Sequence, residues 1–280
     1  MASMVINTNL ASINSQRMLD RTNNDLKTSM ERLSSGLRVN SAKDDAAGLA
    51  IANRMASQIG GMTVAIRNAN DGISMAQNAE SAMGVLTNTM QRMRDLAVQS
   101  ANDGGVTSSD REKLNEEFKQ LNNELTRIIT STEFNGKKII NGSLSAGVVM
   151  QVGPNIASDN RIPISVANLA TVITSVTIAS IGSGATASGA RNAIEAIDNA
   201  IKAVDTSRAK LGAIQNRFIT TITNLQSSIE NQSAAKSRIT DADFAMETAN
   251  LSRNQILQQA GTAMLAQANQ STQSVLKLLQ

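Results

Sequence analysis

Cysteine, histidine, tryptophan and tyrosine are all absent from this 280-residue chain. Without cysteine there is no disulfide framework and no thiolate metal site. Without histidine the chain lacks the commonest general base and the commonest transition-metal ligand. The only aromatics are Phe118, Phe134, Phe218 and Phe244. A core must therefore come from Ala, Leu, Ile and Met, which suits slender helical rods better than a thick globule. The only prolines are Pro154 and Pro163, both central, so both flanks are free to form long helices. Nothing approaches the ~18 consecutive apolar residues of a membrane span, so no membrane insertion is expected. No Lys or Arg precedes Arg17 and the longest early apolar run is Met4-Val5-Ile6, so no cleavable secretory signal is expected. The formal charge is only +3, and acidic and basic residues are interleaved. No dense basic patch points to nucleic acid.

What is present is helical spacing. Met55, Ile59, Met62, Ile66, Ala69, Ile73 and Ala76 alternate by four and three. After Glu80, Met83, Leu86, Met90, Met93 and Ala97 continue the seam with a shifted phase. Such spacing places the apolar side chains on one narrow stripe, as packed long helices require. A helix over about 45–101 follows, roughly 80 Å long at ~1.5 Å per residue. It needs partners with matching seams. Leu114, Phe118, Leu121, Leu125 and Ile128 supply one after the turn Asn102-Asp103-Gly104-Gly105, with Ser109 and Glu112 as a capping box. The short connection predicts an antiparallel helix hairpin. Ile194, Ile197, Ile201 and Val204, then Leu211, Ile214, Phe218, Ile222, Leu225 and Ile229, supply another. Gly60, Gly61 and Gly72 cost about 1 kcal/mol each against alanine within a helix. Close approach of a neighbouring helix explains them, and so does local curvature.

The terminal segments are thinner. Residues 1–36 read as a helix with the sparse seam Ile6, Leu10, Ile13, Leu19, Leu26, Met30 and Leu33, and local pairs Arg17–Asp20, Arg21–Asp25 and Lys27–Glu31. Gly36 reads as a left-handed cap, and Ser41 as the N-cap of the next helix with Asp44 in its acidic first turn. The last segment carries Phe244, Leu251, Leu257, Met264, Ala268, Val275 and Leu279. These seams bury too little to offset ~1–2 kcal/mol of backbone ordering per residue, so the ends are expected to fold only when many copies pack together. Between the helical halves, Asn135-Gly136 and Asn141-Gly142 are turn dipeptides, and 148–152 with 161–166 predict a β-hairpin. Residues 168–189 lack clear periodicity and read as an irregular tip; their Ser and Thr favour a plain surface segment over a glycosylated one. The expected fold is mainly α: long antiparallel coiled-coil or bundle rods with a small β-hairpin region and paired termini.

Several runs then become recognisable. Val5-Ile6-Asn7-Thr8-Asn9, the long run Arg32 to Ile51 with Leu33-Ser34-Ser35-Gly36-Leu37, and the C-terminal Arg253-Asn254-Gln255-Ile256-Leu257-Gln258-Gln259-Ala260-Gly261 and Leu265-Ala266-Gln267-Ala268-Asn269 closely resemble bacterial flagellins. The resemblance covers roughly the first 140 and last 90 residues. It implies a terminal coiled-coil core from 1–44 and 236–280, a helical spoke from 45–142 and 190–235, and a hairpin with a short variable tip at 143–189. The form is minimal, lacking large outer domains. It implies a structural subunit that polymerises with itself into the extracellular flagellar filament used for swimming. It also implies unfolded export through the type III apparatus, an export chaperone on the C-terminal segment, and hook-associated and cap proteins as partners. Ile6, Leu10, Ile13, Leu26, Met30, Leu33, Leu257, Met264, Ala268, Val275 and Leu279 would then serve polymerisation.

Gln91 to Asn102 resembles the family segment read by a host Toll-like receptor, which makes Arg92, Leu96 and Gln99 expected contacts, with Glu117 on the neighbouring helix. Met93 and Asp95 depart conservatively from a common version with Val and Glu. No catalytic residue, cofactor or metal is expected. Asp241 and Asp243 lie two apart, on different helix faces, and read as caps after Thr240. A zinc-protease insert would need histidine. The rival readings are a hook–filament junction protein or another helical protein of the same export route; the complete terminal runs favour a filament subunit.

Overall fold

The structure, a computed structural model, describes residues 8–177, 179–182 and 187–278. Helix α1 spans Leu10–Ser35, α2 Ala46–Ser100, α3 Ser108–Ser131, α4 Leu169–Thr177, α5 Ala187–Thr240 and α6 Phe244–Leu278. Between α3 and α4 lie strands β1 (Glu133–Phe134), β2 (Lys137–Lys138), β3 (Val148–Gln151) and β4 (Arg161–Ile164). The chain forms two compact units, Met1–Ser57 with Glu230–Gln280, and Gln58–Ile229. The mainly helical architecture expected from the spacing is the one observed.

The seam of α2 is the spine of the Gln58–Ile229 unit. Ala69, Ala76, Met83, Leu86, Met90, Met93 and Ala97 are buried against Phe118, Leu125 and Ile128 of α3 and Ile197, Val204, Leu211 and Phe218 of α5. Each fully buried large side chain contributes about 1.5–3 kcal/mol. Met62, Ala65 and Leu225 form a smaller cluster. The phase shift at Glu80 has a polar partner, since Gln215 Nε2 donates to Glu80 Oε2 at 3.0 Å. Buried Ser207 fills the apparent break in the α5 seam between Val204 and Leu211. An added Cβ at Gly61 would lie 2.9 Å from Pro154 Cβ, and one at Gly72 would lie 2.8 Å from the Phe218 ring. Close approach therefore explains both glycines, but it comes from a loop and an aromatic ring. Gly60 faces open space.

The turn dipeptide Asn135-Gly136 is the two-residue loop of the β1–β2 hairpin, with φ of 49° and 74°. Both positive angles fit a type I′ turn, which suits strand twist. The β3–β4 hairpin pairs Val148 with Ile164 and Gln151 with Arg161. Pro163 is tolerated because a two-stranded sheet has only edges.

Three expectations need correction. The α3 cap is Thr107, whose Oγ1 accepts the Asp110 amide at 3.3 Å, rather than Ser109. The α2 cap is Asp45, whose Oδ1 accepts the Gly48 amide at 2.8 Å. Ser41 instead sits in a separate turn, where Asp44 Oδ2 accepts the Asn40 and Ser41 amides and the Ser41 hydroxyl. A carboxylate that accepts three donors closes that turn before the helix begins. The segment 168–189 is not irregular throughout: α4 buries Leu169, Ile173 and Val176 at 4/3 spacing and packs on α3. Asn168 caps it, accepting the Ala170 and Thr171 amides. Its β-branched residues mask the helix from propensity, and tertiary packing overrides them. Beyond α4, Ser100 Oγ donates to the Ile181 carbonyl at 2.7 Å, and the Ile181 amide donates to Asn115 Oδ1 at 3.3 Å.

Candidate assembly surface

Helix α1 starts under the Asn9 side chain, which accepts the Ser12 amide at 3.0 Å. It ends at Gly36, which has φ 72° and is the left-handed cap the sequence predicts. There Arg38 and Val39 donate their amides to the Thr240 carbonyl, and Arg38 Nη2 donates to the Ile239 carbonyl at 2.7 Å. Leu37 bridges Asp241, and Ala242 donates back to the Gly36 carbonyl. Asp243 then caps α6, accepting the Ala245 and Met246 amides through Oδ1. The capping role expected near Thr240 thus falls to Asp243. Asp241 accepts from the Ser237 and Thr240 hydroxyls, which hold its carboxyl below the usual value.

From this joint α1 and α6 run antiparallel. Arg32 faces Glu247 at 4.0 Å, Asn23 accepts from Gln258 at 2.8 Å, Gly261 lies under Leu19, and Asn9 donates to the Ala268 carbonyl at 2.9 Å. The residues that turn inward on α1 are Ser12, Ser15, Leu19, Thr22, Leu26, Ser29 and Leu33. On α6 they are Glu247, Leu251, Asn254, Gln258, Gly261, Leu265 and Ala268. Both sets keep unbroken 3/4 spacing, the repeat of a two-stranded coiled coil. Nine of these fourteen positions are small or polar, which is why a search for apolar residues finds only part of the seam. A pattern that scored Ser, Thr and Gly as seam residues would have found the rest. The Arg17, Arg21 and Lys27 pairs expected within α1 do not form among the described residues; Asn40 takes Glu31 instead.

Of the residues expected to serve polymerisation, Leu26, Leu33 and Ala268 are half-buried on this inner seam. Leu10, Ile13, Met30, Leu257 and Met264 are exposed, Leu257 and Met264 at the edge of the seam. Ile6, Leu279 and the side chain of Val275 lie outside the described residues. Met18, Phe244, Met246 and Ile256, not all of which the seam pattern includes, are exposed beside them. Among the described side chains of α1 and α6, Ser12, Ser29 and Glu247 are buried and no apolar residue is. The seam leucines Leu19, Leu26, Leu33, Leu251 and Leu265 are only half-buried, and the methionines of both helices are exposed with Phe244. A groove of about 340 Å³ runs along the edge of the seam, lined by the seam residues Ser15, Leu19, Thr22 and Gly261 and by the exposed Met18, Leu257 and Met264.

In the Gln58–Ile229 unit, the second set of expected residues separates by depth. Arg92 is exposed and donates through Nε and Nη2 to Glu117 Oε1 at 2.9 and 2.7 Å, and Gln99 is exposed on the same helix. Leu96 is 1% exposed and lies in the core beneath them. No group of three or more carboxylates able to hold a metal occurs among the described residues. No helix of the described residues is long and apolar enough to cross a membrane.

The family model for the bacterial flagellin N-terminal helical region matches residues 6–145, and that for the C-terminal helical region matches 194–279. The chain belongs to the bacterial flagellin family. A flagellin of Halalkalibacterium halodurans is 45% identical over 276 residues, 99% of this chain and all of that protein. Flagellin A of Vibrio cholerae is 39% identical over 382 aligned positions, 98% of this chain and 99% of its own. That alignment is longer than this chain, which is a small form of the family. Among solved structures, the crystal structure of Bacillus cereus flagellin matches with a TM-score of 0.50 and 27% identity, covering 61% of this chain and 94% of that one. The chain is therefore a structural subunit of the extracellular flagellar filament, in which copies polymerise with one another, and not an enzyme.

Proposed function

We propose that the outward faces of α1 and α6 are the polymerising surface, and that the terminal pair gains its full stability only on assembly. The observation that carries this is the thin seam of the pair: its leucines are only half-buried among small and polar residues, no described apolar side chain of either helix is fully buried, and Leu10, Ile13, Met30, Phe244, Ile256, Leu257 and Met264 are exposed. Exposed apolar side chains grouped on one unit mark an interaction surface. Many weak repeated contacts in a helical lattice then sum to a stable polymer. On this reading residues 1–44 with 236–280 form the inner coiled-coil domain, 45–142 with 190–235 the surrounding helical domain, and 143–189 the hairpin and tip. The test is circular dichroism of monomer and polymer, for the full chain and for a chain lacking residues 1–40 and 240–280. The full chain gains helix on polymerising, and the truncated chain neither gains helix nor polymerises. A full-length monomer already at the polymer's helix content refutes the coupling.

The same reading gives α6 to an export chaperone before assembly, makes hook-associated and cap proteins the neighbours at the filament ends, and takes the chain out through the type III apparatus. Sliding of α2 and α5 between neighbouring subunits would switch the supercoil. For host recognition, Arg92, Gln99 and Glu117 form the exposed patch, while buried Leu96 supports the helix from below. Substituting Arg92 or Gln99 weakens binding of the flagellin-sensing Toll-like receptor ectodomain; unchanged binding for both rejects that patch.

A further inference from the structure

The chain has no Cys, Trp, Tyr or His, so thioether sulfur is its one readily oxidised side-chain group. Thirteen methionines carry it. The structure divides those it describes into three groups. Met62, Met75, Met83, Met90 and Met93 are buried in the Gln58–Ile229 unit, with at most 5% exposure. Met55 and Met150 are half-buried. Met18, Met30, Met246 and Met264 are 63%, 52%, 64% and 61% exposed, and all four stand on α1 or α6. Met18 and Met264 line the same groove at the edge of the α1–α6 seam, together with Leu257 and Gly261.

We propose that these four methionines form an oxidant-sensitive control on assembly. A hydroperoxide-class oxidant transfers one oxygen atom to the thioether. The S–O bond forms as the peroxide O–O bond breaks, the sulfur gives up two electrons, and the peroxide leaves as water or an alcohol. The product is polar and chiral where the side chain was apolar and flexible. Sulfoxides on the outward faces of α1 and α6 leave the core of the Gln58–Ile229 unit intact but remove the apolar surface that neighbours would bury. Methionine sulfoxide reductases, supplied with two electrons by a dithiol that becomes a disulfide, return the thioether and release the oxygen as water, so the control is reversible. Once polymerised, the same sulfurs are covered and protected. This inference rests on the assembly reading above.

The experiment treats purified full-length monomer with hydrogen peroxide, quenches it, maps sulfoxides by peptide mass spectrometry and measures seeded polymerisation by sedimentation. Met18, Met30, Met246 and Met264 oxidise roughly tenfold faster than the buried five, in line with exposure. Polymerisation falls, while the thermal transition of the Gln58–Ile229 unit holds. Methionine sulfoxide reductase restores polymerisation, and filaments treated after assembly keep the four sulfurs unmodified. A chain with Met18→Leu, Met30→Leu, Met246→Leu and Met264→Leu polymerises with or without peroxide. The inference is overturned if oxidised wild-type chain polymerises normally, or if the leucine variant loses polymerisation on oxidation as the wild type does; the latter would move the effect to Met1, Met4 or the half-buried pair. If the leucine variant does not polymerise even untreated, reductase repair of the wild type decides: recovery upholds the inference and no recovery overturns it. A truncated chain that polymerises sinks the assembly reading itself. An oxidised full chain that polymerises where the truncated one does not sinks only the methionine control.

Discussion

Gly72→Ala and Gly60→Ala are the same substitution on the same helix, and the structure assigns them different outcomes. In either place alanine gains about 1 kcal/mol of helix propensity. At Gly60 the new Cβ meets nothing within 4 Å, so the gain stands. At Gly72 it would lie 2.8 Å from Phe218 Cζ and 3.0 Å from Cε2. Phe218 is fully buried in the main core and cannot swing out. Such overpacking costs about 1–3 kcal/mol, which cancels or exceeds the propensity gain.

Both sites belong to the Gln58–Ile229 unit and report on one transition, so the difference between the two variants isolates the overpacking term. It corresponds to about 2–4 °C for each kcal/mol in a unit of this size. Thermal unfolding of the full-length chain by calorimetry measures it, and urea midpoints supply an independent value. Adding Phe218→Leu to Gly72→Ala should cost less than Phe218→Leu costs alone, because the smaller side chain yields the space. If Gly72→Ala stabilises as much as Gly60→Ala, the ring does not define that contact and the packing argument fails.

Other perturbations follow from the same geometry. Asp45→Ala removes the α2 cap and should cost about 1 kcal/mol in urea unfolding of the terminal unit, with Asp45→Asn retaining most of it. Asn115→Ala strips the acceptor from the Ile181 amide and should speed amide exchange there while α3 stays protected. Arg92→Ala should leave the melting temperature within about 1 °C, since an ion pair with both partners roughly half exposed contributes ~0–1 kcal/mol. In acid, Asp44, Asp110 and Asp241 lose the hydroxyl and amide donors that hold them below the ordinary carboxyl value, and Glu124 loses Arg127. A depressed folded value contributes stability that is present above the unfolded value and is lost as pH falls through the folded one. Stability should therefore decline below about pH 4 and stay level from about pH 6 to 8, where a chain without histidine has no side chain of ordinary value to titrate.

The long rods were legible because their seams obey one rule: apolar side chains four and three apart, buried where they fall. Met83, Leu86, Met90 and Phe218 are all fully buried as that rule requires. Where the rule fails, the cause is local. In α4, the run Thr171-Val172-Ile173-Thr174 carries strand propensity, and only packing on α3 makes it helical. At Asp45 and Thr107 the true cap stands beside other capping residues, and which one wins depends on the backbone's entry into the helix.

The terminal pair was only partly legible. Apolar periodicity gave Leu26, Leu33 and Ala268, which lie on the inner seam, and Leu10, Ile13, Met30, Leu257 and Met264, which are exposed; it passed over the small and polar seam members Ser12, Ser29, Gln258 and Gly261. Within a lone chain, apolar pattern and intramolecular contact ought to coincide, as they do along the seams of α2 and α5. On the assembly reading proposed above, they diverge in α1 and α6 because a polymer subunit must satisfy two kinds of neighbour with one helix. Small and polar residues let α1 and α6 approach closely and fix their register at Asn23–Gln258 and Arg32–Glu247. On the same reading, the exposed apolar side chains of both helices, Leu10, Ile13, Met30, Ile256, Leu257 and Met264 among them, are left for contacts that a lone chain cannot make.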